Sequence, residues 1–212
     1  MSRFGADPLA FFNAVYRELP PWEIGGPQPA MAALLARHPP ASPVLDVGCG
    51  AGDLALYLAQ QGCQVLGIDF VAPAIAAAQA KADTLPADVA RLVDFQVADA
   101  LAPSRLGQQF GAVVDSGFLH LLDSEQSDRY IAELAAALRP GGRYYLHAFA
   151  VEFPVPNVPH SVDANEIQAR FSAANGWRIL DLYAGEFLSR VAPPVPATCA
   201  CIERIADFTQ GL

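Results

Sequence analysis

The sequence predicts an α/β fold in which helices cover both faces of a mostly parallel sheet. From Pro43 onward, short β-branched or apolar runs alternate with helical runs, and this alternation is typical of parallel sheets. A glycine-rich turn directly follows the first of these runs, between a buried strand and a helix. Both features indicate that a ligand binds at the carboxyl ends of the strands.

Seven runs of residues are predicted as strands. They are residues 44–47, 64–68, 92–97, 112–114, 143–148, 177–191 and 197–208. Residues 140–142 are predicted to turn the chain into the fifth strand. Only a proline-rich turn separates the last two strands, so we expect them to be antiparallel. The expected architecture is a seven-stranded, mostly parallel sheet with an antiparallel last strand.

Helices are predicted where apolar residues recur at helical spacing. The predicted helices are residues 8–18, 28–37, 53–61, 72–83, 125–138 and 163–174. Asp123 with Gln126, and Asp163 with Glu166, are typical of capping boxes at helix starts. Gly62 is typical of the residue just after a helix end. Prolines interrupt the first forty residues, so residues 1–40 are predicted as a helical lid before a domain at 41–212.

Composition narrows the classes of partner. Apolar residues make up 53% and charged residues 17% of the chain, which allows a sizeable core, and the net charge is −9. That charge disfavours nucleic acid or an anionic membrane as partner, and a small molecule is expected instead. No apolar run is long enough to span a membrane, the first residues do not resemble a secretion signal, and four cysteines fit no zinc pattern. We expect reduced thiols, no metal, a cytoplasmic location and a monomer or homodimer.

The strongest motif is the stretch VLDVGCGAG at residues 44–52. Gly48, Gly50 and Gly52 let the backbone approach a ligand closely, and the helix that begins near Asp53 offers free N–H groups. The glycine spacing differs from the G-x-G-x-x-G of dinucleotide-binding folds. Asp46 lies just before the loop, where a carboxylate would oppose a pyrophosphate but suit a cationic ligand.

Two further acids end the next two strands. Asp69 ends the second strand, where an acid accepts hydrogen bonds from vicinal ribose hydroxyls. Asp99 ends the third strand, so Asp46, Asp69 and Asp99 are expected along one crevice. Such a line of acids suits a ligand with an amino-acid part, a ribose and an adenine, and no phosphate.

This arrangement resembles the class I S-adenosylmethionine-dependent methyltransferases, over roughly residues 40–150. The resemblance implies a Rossmann-like fold and S-adenosyl-L-methionine as cofactor. The family usually has Asp after Phe in its fourth-strand motif, whereas this chain has Phe110 and Gly111; that departure does not touch the cofactor site.

The resemblance also implies roles for individual residues. Asp46 and the glycine loop would hold the methionine end, and Asp69 would hold the ribose. Asp99 and the Ala100 backbone would hold the adenine edge. Phe70, directly after Asp69, is included among the candidate cofactor contacts.

Two shorter segments narrow the resemblance. The segment PWEIGGPQP at 21–29 resembles the cap of small-molecule methyltransferases: thiopurine S-methyltransferase, the halide and thiol methyltransferases, and bacterial methyltransferases of quinolones and other heterocyclic toxins. The segment DSGFLHLL at 115–122 looks most like the bacterial members.

These segments supply four more candidates, each with a structural alternative. Trp22 is either a lid over cofactor and substrate or a core aromatic residue. Gln28 is either a ligand contact or a polar residue at a helix start. Asp115 either contacts the methionine amino group or orients its loop. His120 is the candidate catalytic residue, as a general base or a substrate orienter, or else a histidine hydrogen-bonded to backbone.

The expected function is methyl transfer from S-adenosylmethionine to O, S or N of a small, fairly apolar acceptor by in-line displacement. Trp22, Phe149, Phe153 and the prolines up to residue 159 are expected to form the acceptor's walls. Two alternatives stay open. One is a non-catalytic S-adenosylmethionine-binding module, and the other is an NAD-dependent oxidoreductase, which the glycine spacing and Asp46 disfavour.

Overall fold

The computed structural model describes residues 7–153 and 159–205 and contains one seven-stranded sheet. The strands are β1 (Val44–Val47), β2 (Val65–Asp69), β3 (Val93–Val97), β4 (Phe110–Ser116), β5 (Leu138–Phe149), β6 (Trp177–Phe187) and β7 (Val195–Arg204). Their order is β3-β2-β1-β4-β5-β7-β6, and β7 runs antiparallel to both of its neighbours. The predicted Rossmann-like sheet with an antiparallel end is therefore confirmed.

The helices follow the predicted alternation. They are α1 (Pro8–Val15), α2 (Pro29–Arg37), α3 (Asp53–Gln60), α4 (Ala72–Ala82), α5 (Ala87–Ala90), α6 (Ser124–Ala137) and α7 (Ala164–Arg170). The capping box of Asp123 and Gln126 is present at the start of α6. None of the helices in the described part of the chain has the length and hydropathy needed to cross a membrane.

The position of β1 sets the place of the site. All of its residues are buried, and it pairs in parallel with β2 on one side and β4 on the other. The chain builds the sheet outward from β1 through β2 to β3, then returns to place β4 on the opposite side. A crevice forms where the strand order reverses in this way, at the carboxyl ends of β1 and β4.

Hydrophobic side chains pack on both faces of the sheet. On one face, β1 and β4 share a cluster with α3 and with Met31 and Leu34 of α2, both fully buried. On the other face, α6 and α7 pack over β5 and β6, with Tyr130 and Trp177 among the buried residues. Helix α2 thus packs within the main core, and the segment before α2 covers the crevice.

Several predicted boundaries differ from the structure, and α5 was not predicted. Two of the differences have a visible cause. Strand β5 begins at Leu138, because Leu138 already pairs with Phe110 before an irregularity that contains Gly141, where a turn was predicted. Strand β6 ends at Phe187 instead of residue 191, because the next backbone N–H and C=O, those of Leu188, bond to the side chain of Gln28. Residues 206–208 of the predicted last strand lie outside the described residues.

Candidate functional site

A cavity of about 420 Å³ lies at the carboxyl ends of β1, β2, β4, β5 and β6, beneath the segment that precedes α2. Its aromatic lining residues are Phe11, Phe12, Tyr16, Trp22, Phe70, Phe118, Phe149, Phe153 and Phe187. Its acidic lining residues are Glu23, Asp46, Asp53 and Asp69, and none of the described lining residues is lysine or arginine. The cavity therefore favours a cation or an apolar ring over a phosphate.

Charge is unevenly distributed along the cavity. Glu23, Asp46 and Asp69 lie with the glycine loop beside β1 and β2, and we call this part the acidic end. The other part, beside β4, β5 and β6, we call the aromatic end. It is formed by Ser116, His120, Phe149, Phe153 and Phe187.

Asp46 supplies an unsatisfied carboxylate at the acidic end. It is only 2% exposed, and its Oδ2 accepts no hydrogen bond from any described residue. Burial, followed by the nearby carboxylate of Asp115, raises the pKa of Asp46 well above its ordinary value. A hydrogen bond with the Ala55 backbone opposes that shift. Because a buried carboxylate oxygen without a partner is costly, Asp46 would gain from a cationic ligand nearby.

Asp69 braces the glycine loop from the neighbouring strand. Its Oδ2 accepts the N–H of Gly50 at 3.0 Å, and its Oδ1 accepts the N–H of Val71 at 2.9 Å. Burial raises the pKa of Asp69, and these backbone bonds oppose that shift. Each carboxylate oxygen keeps a second lone pair, so Asp69 can hold the loop and still accept hydroxyl groups of a ligand.

The segment that precedes α2, which we call the cover, approaches the glycine loop at Gly50. Gly50 has a φ of +55°, and a Cβ there would lie 2.6 Å from the hydroxyl oxygen of Tyr16. Glu23 lies beside it, and its Oε1 accepts the N–H of Ala51 at 3.3 Å. Neither Tyr16 nor Glu23 was named as a candidate from the sequence, because their contact with the loop depends on how the cover folds back.

Lys81 of α4 completes this contact. Its Nζ lies 3.3 Å from Glu23 Oε2 and 2.5 Å from Asp53 Oδ1. Burial raises the pKa of Glu23, and the charge of Lys81 opposes that shift. The buried carboxylate of Glu23, on the cover, therefore contacts both the glycine loop, at Ala51, and α4, at Lys81.

Three other predicted residues lie along the covered side of the cavity. Trp22 lines it, is 37% exposed, and meets the rings of Phe12 and Tyr16 edge-on. Phe70 also lines it and packs on Phe12. Gln28 lines it as well, but its amide group is engaged with the backbone of β6's extension, at Leu188.

Three predicted residues of the glycine loop differ in their placement. Gly48 and Gly50 line the cavity. Gly52 is not among its lining residues. It begins α3 with a φ of +83°, and a Cβ there would lie 2.7 Å from the ring of Phe95 and 2.8 Å from Ala78. Gly52 is thus required for packing beneath the loop.

Asp99, Ala100 and Asp115 are also absent from the lining. Asp99 is exposed and accepts the N–H of Leu101, and Ala100 is buried in the core. Asp115 is fully buried, and its carboxylate accepts backbone N–H groups of the following turn and two tyrosine hydroxyls. Those donors are Phe118 N, Leu119 N, Tyr130 Oη and Tyr144 Oη. This geometry fits loop orientation by Asp115.

His120 forms part of the aromatic end and is only 3% exposed. Its ring stacks on Phe149 at 4.4 Å between centroids, and its Nδ1 accepts the Phe149 N–H at 3.1 Å. A neutral imidazole has one nitrogen with a free lone pair, and here that lone pair is already engaged. The general-base role expected for His120 does not fit this geometry, whereas contact with an acceptor does.

Around His120 the aromatic end is closely packed. Phe149 meets Phe187 at 4.6 Å and Phe153 at 5.2 Å between ring centroids. Phe149 and Phe153 were predicted as walls, but Phe187 was missed because β6 reaches the site only through the order of the strands. Residues 154–158, within the predicted proline-rich wall, lie outside the described residues.

Comparison with known proteins gives similarity at three levels. Residues 44–142 match the family profile described as a methyltransferase domain. A curated relative, the 2-heptyl-1-hydroxyquinolin-4(1H)-one methyltransferase of Mycobacteroides abscessus, is 32% identical over 166 residues, covering 77% of this chain and 70% of the relative.

Solved structures agree with this similarity. The protein of the structure titled "Conversion of a Disulfide Bond into a Thioacetal Group during Echinomycin Biosynthesis" is 30% identical, with a TM-score of 0.80 over 95% of this chain and 94% of that one. The 1,6-didemethyltoxoflavin-N1-methyltransferase of Burkholderia thailandensis shares the fold at 21% identity, with a TM-score of 0.67 over 93% of this chain and 84% of that one.

Proposed function

This chain belongs to the class I S-adenosylmethionine-dependent methyltransferases, and we propose that it methylates a heteroatom, O, S or N, of a small, flat and fairly apolar acceptor. The observation that carries the proposal is the single cavity with two unlike ends. The acidic end suits a cationic methyl donor, and the aromatic end suits an uncharged or delocalised ring.

The residues of the acidic end fit the cofactor. The carboxyl group of Asp46, which lines the cavity, suits the ammonium of its methionine part, and the spare lone pairs of Asp69 suit its ribose hydroxyls. Gly48 and Gly50 line the cavity beside Asp46, where glycine backbone can approach a ligand closely, and Phe70 and Trp22 offer ring faces. The absence of lysine and arginine among the described lining residues agrees with a cofactor that carries no phosphate.

When bound, S-adenosylmethionine supplies a methyl group on a positively charged sulfur, which is a good leaving group. The protein's task is then to orient the acceptor and exclude water, because alignment supplies much of the rate enhancement in such displacements. Trp22 and Tyr16 cover the cavity, and their ring faces can also stabilise a cation. His120 is proposed as the group that contacts the acceptor.

The aromatic end supports a planar acceptor. Phe149, Phe153 and Phe187 present rings at stacking or edge distances from one another, and such surfaces favour another aromatic ring. The Mycobacteroides relative is named for a hydroxyquinolinone and the Burkholderia neighbour for a toxoflavin precursor. We propose a heteroaromatic acceptor of this general kind, and not a nucleic acid.

An acceptor screen tests this function. The protein is incubated with isotopically methyl-labelled S-adenosylmethionine and a panel of aromatic thiols, phenols, N-hydroxy compounds and N-heterocycles, and products are read by mass spectrometry. Aliphatic alcohols are added to the panel as the comparison set, and we expect labelled product from planar acceptors and none from these alcohols. The matched variants are Asp69→Ala, which should lose the reaction, and Asp94→Ala, which removes an exposed carboxylate of β3 and should not.

Calorimetric titration with S-adenosylmethionine, compared with the acceptor screen, separates a methyltransferase from a non-catalytic binding module. Cofactor binding without transfer to any panel member would contradict the proposed function and would favour a non-catalytic binding module.

A further inference from the structure

We propose that His120 donates its Nε2–H to the methyl acceptor, and that the enzyme takes acceptors whose reacting atom has no proton to lose. Such acceptors are aromatic thiolates and aromatic oxyanions. The inference rests on the proposed function, and it adds a substrate class and a role for one residue. It is carried by the hydrogen bonds that surround the His120 ring.

The backbone determines which ring nitrogen carries the proton. The N–H of Phe149 donates to Nδ1 of His120 at 3.1 Å. A backbone N–H is always a donor, so Nδ1 must be the nitrogen with the lone pair. In the neutral ring the proton is then on Nε2, and a ring protonated at both nitrogens would direct two N–H groups at each other.

The second nitrogen is left for the cavity. Among the described residues, no group forms a hydrogen bond with Nε2 of His120. This nitrogen is also not one of the enclosed polar atoms that lack a partner. A Cβ on Gly117, another cavity-lining residue, would lie 3.5 Å from this Nε2. His120 therefore presents a donor, and not a basic nitrogen, to a bound molecule.

Phe149 holds the ring in this orientation, and His160 holds the backbone of His120. Phe149 stacks on it at 4.4 Å and tilts by only 12°. The backbone N–H of His160 donates to the His120 carbonyl at 2.9 Å, and His160 Nδ1 lies 2.8 Å from the same oxygen. If the proton moved from Nε2 to Nδ1, the hydrogen bond from the Phe149 N–H would be lost, and no rotation of the stacked ring would replace it.

The titratable groups around His120 do not favour the charged, doubly protonated form of its ring. Burial lowers the pKa of His120 well below its ordinary value, and the charges of His160 and His147 act in the same direction. The carboxylate of Glu166 lies 3.8 Å from His160 Nε2, whereas it is Nδ1 of that ring that faces the His120 carbonyl. His120 is therefore neutral at physiological pH.

Ser116, the other polar residue of the aromatic end, is not a base either. Nε2 of His147 lies 3.1 Å from the Glu186 carbonyl and must donate to it, which makes Nδ1 of His147 an acceptor. Ser116 Oγ lies 3.4 Å from that Nδ1, so its hydroxyl proton is committed to His147. Ser116 then offers the cavity only weakly basic hydroxyl lone pairs.

The chemistry balances without a protein base. A lone pair on the acceptor heteroatom forms the bond to the methyl carbon, while the carbon–sulfur bond breaks and its electrons stay on sulfur. An anionic acceptor and a cationic donor give two neutral products, and no proton is released. The Nε2–H of His120 holds the acceptor's anionic oxygen or sulfur through a charge-assisted hydrogen bond to a lone pair other than the one that attacks the methyl carbon.

Nuclear magnetic resonance tests the tautomer without cofactor or turnover. In protein labelled with ¹⁵N-histidine, long-range proton–nitrogen correlations should show His120 protonated at Nε2 and unprotonated at Nδ1 from mildly acidic to mildly alkaline pH. The His120→Gln spectrum assigns the signals by their loss. A proton on Nδ1 would overturn the inference.

Kinetics test the substrate class. Ring-substituted thiophenols and phenols whose acidities span neutral pH should each give a rate profile that follows the acceptor's own ionisation. His120→Gln keeps an N–H donor but no basic nitrogen, and should keep most of the activity. His120→Leu loses the donor and should lose about 10- to 100-fold in kcat/KM.

The matched control is His38→Gln, which alters a histidine that contacts Asp181 and is absent from the cavity lining, and should leave the acceptor profile unchanged. A profile that bends at one pH for every acceptor, and disappears in His120→Gln, would make His120 a base and overturn the inference. Failure of the parent protein to methylate any acceptor would instead count against the proposed function, since the tautomer is decided separately by resonance.

Discussion

The two ends of the cavity differ in what burial does to their charges. At the acidic end, burial raises the pKa of Asp46, Asp69 and Glu23, so each carboxylate gains from a donor or cation brought to it. At the aromatic end, burial lowers the pKa of His120 and His147, so both rings stay neutral and call for no counter-charge. One end therefore demands a cation, whereas the other offers ring faces and one hydrogen-bond donor.

The largest effect expected from this contrast is on stability against pH. Burial lowers the pKa of His147 from 6.5 to about 4, so the unfolded chain binds that proton first, and stability falls as the pH drops through this window. Burial raises the pKa of Asp115, a β4 residue whose charge acts on Asp46, from 3.8 to about 6. There the folded chain binds the proton first, and stability rises as the pH drops from about 6 to 4.

The two contributions have opposite signs and similar sizes, each up to about 3 kcal/mol. Relative to the parent, His147→Gln should gain unfolding free energy as the pH is lowered from 6.5 to 4, and Asp115→Asn should lose it. Urea unfolding at several pH values measures both slopes. Parallel slopes in the two variants would show that the ends do not differ in this way.

The second effect concerns the cofactor. Asp69→Asn places an amide N–H₂ against one of the two backbone donors, Gly50 or Val71, that Asp69 now accepts. We expect S-adenosylmethionine to bind about 10- to 100-fold more weakly, or about 1–3 kcal/mol, in calorimetry. The acceptor's KM at saturating cofactor should stay close to the parent value, and the exposed control Asp94→Asn should change neither quantity.

The third effect concerns the aromatic end. Phe153→Leu removes an edge-to-face contact with Phe149 at 5.2 Å and one wall of the cavity. The acceptor's KM should rise about 3- to 10-fold, in line with the 0.5–1.5 kcal/mol of an aromatic pair, while cofactor affinity stays the same. An equal loss of cofactor affinity would mean that the two ends are not separate binding regions.

The same contrast explains what the sequence could predict. The acidic end depends on a local pattern, because strand, glycine loop and helix follow one another from Val44 to Gln60, and Asp69 closes the next strand. The aromatic end is assembled from β4, β5 and β6, which are distant in sequence. Phe187 enters it only because β7 reverses and places β6 parallel to β5.

The roles of the remaining candidate residues depend on hydrogen bonds that the sequence pattern does not show. Asp115 ends up among four donors and away from the cavity lining, although its position after β4's buried run made a ligand contact plausible. The role of His120 depends on a single backbone N–H, that of Phe149. Such contacts join segments whose relative placement a sequence pattern does not contain.

The smallest effect concerns the contact between the cover and the acidic end. Glu23 is 8% exposed, but its partner Lys81 is 40% exposed, so solvent and salt screen this ion pair. Glu23→Gln keeps a carbonyl oxygen for the Ala51 N–H and loses only the charge. We expect cofactor affinity to fall by at most about 1 kcal/mol, with a smaller loss at high salt.

Lys81→Met is the matched variant, since it removes the other partner of the same pair. It also removes the partner of Asp53, so its effect should be somewhat larger and equally sensitive to salt. In the double variant the two losses should not add, because the pair is already broken by either change. Additive losses that ignore salt would show that Glu23 acts on the cofactor directly, and that the cover is held to the glycine loop by its aromatic residues alone.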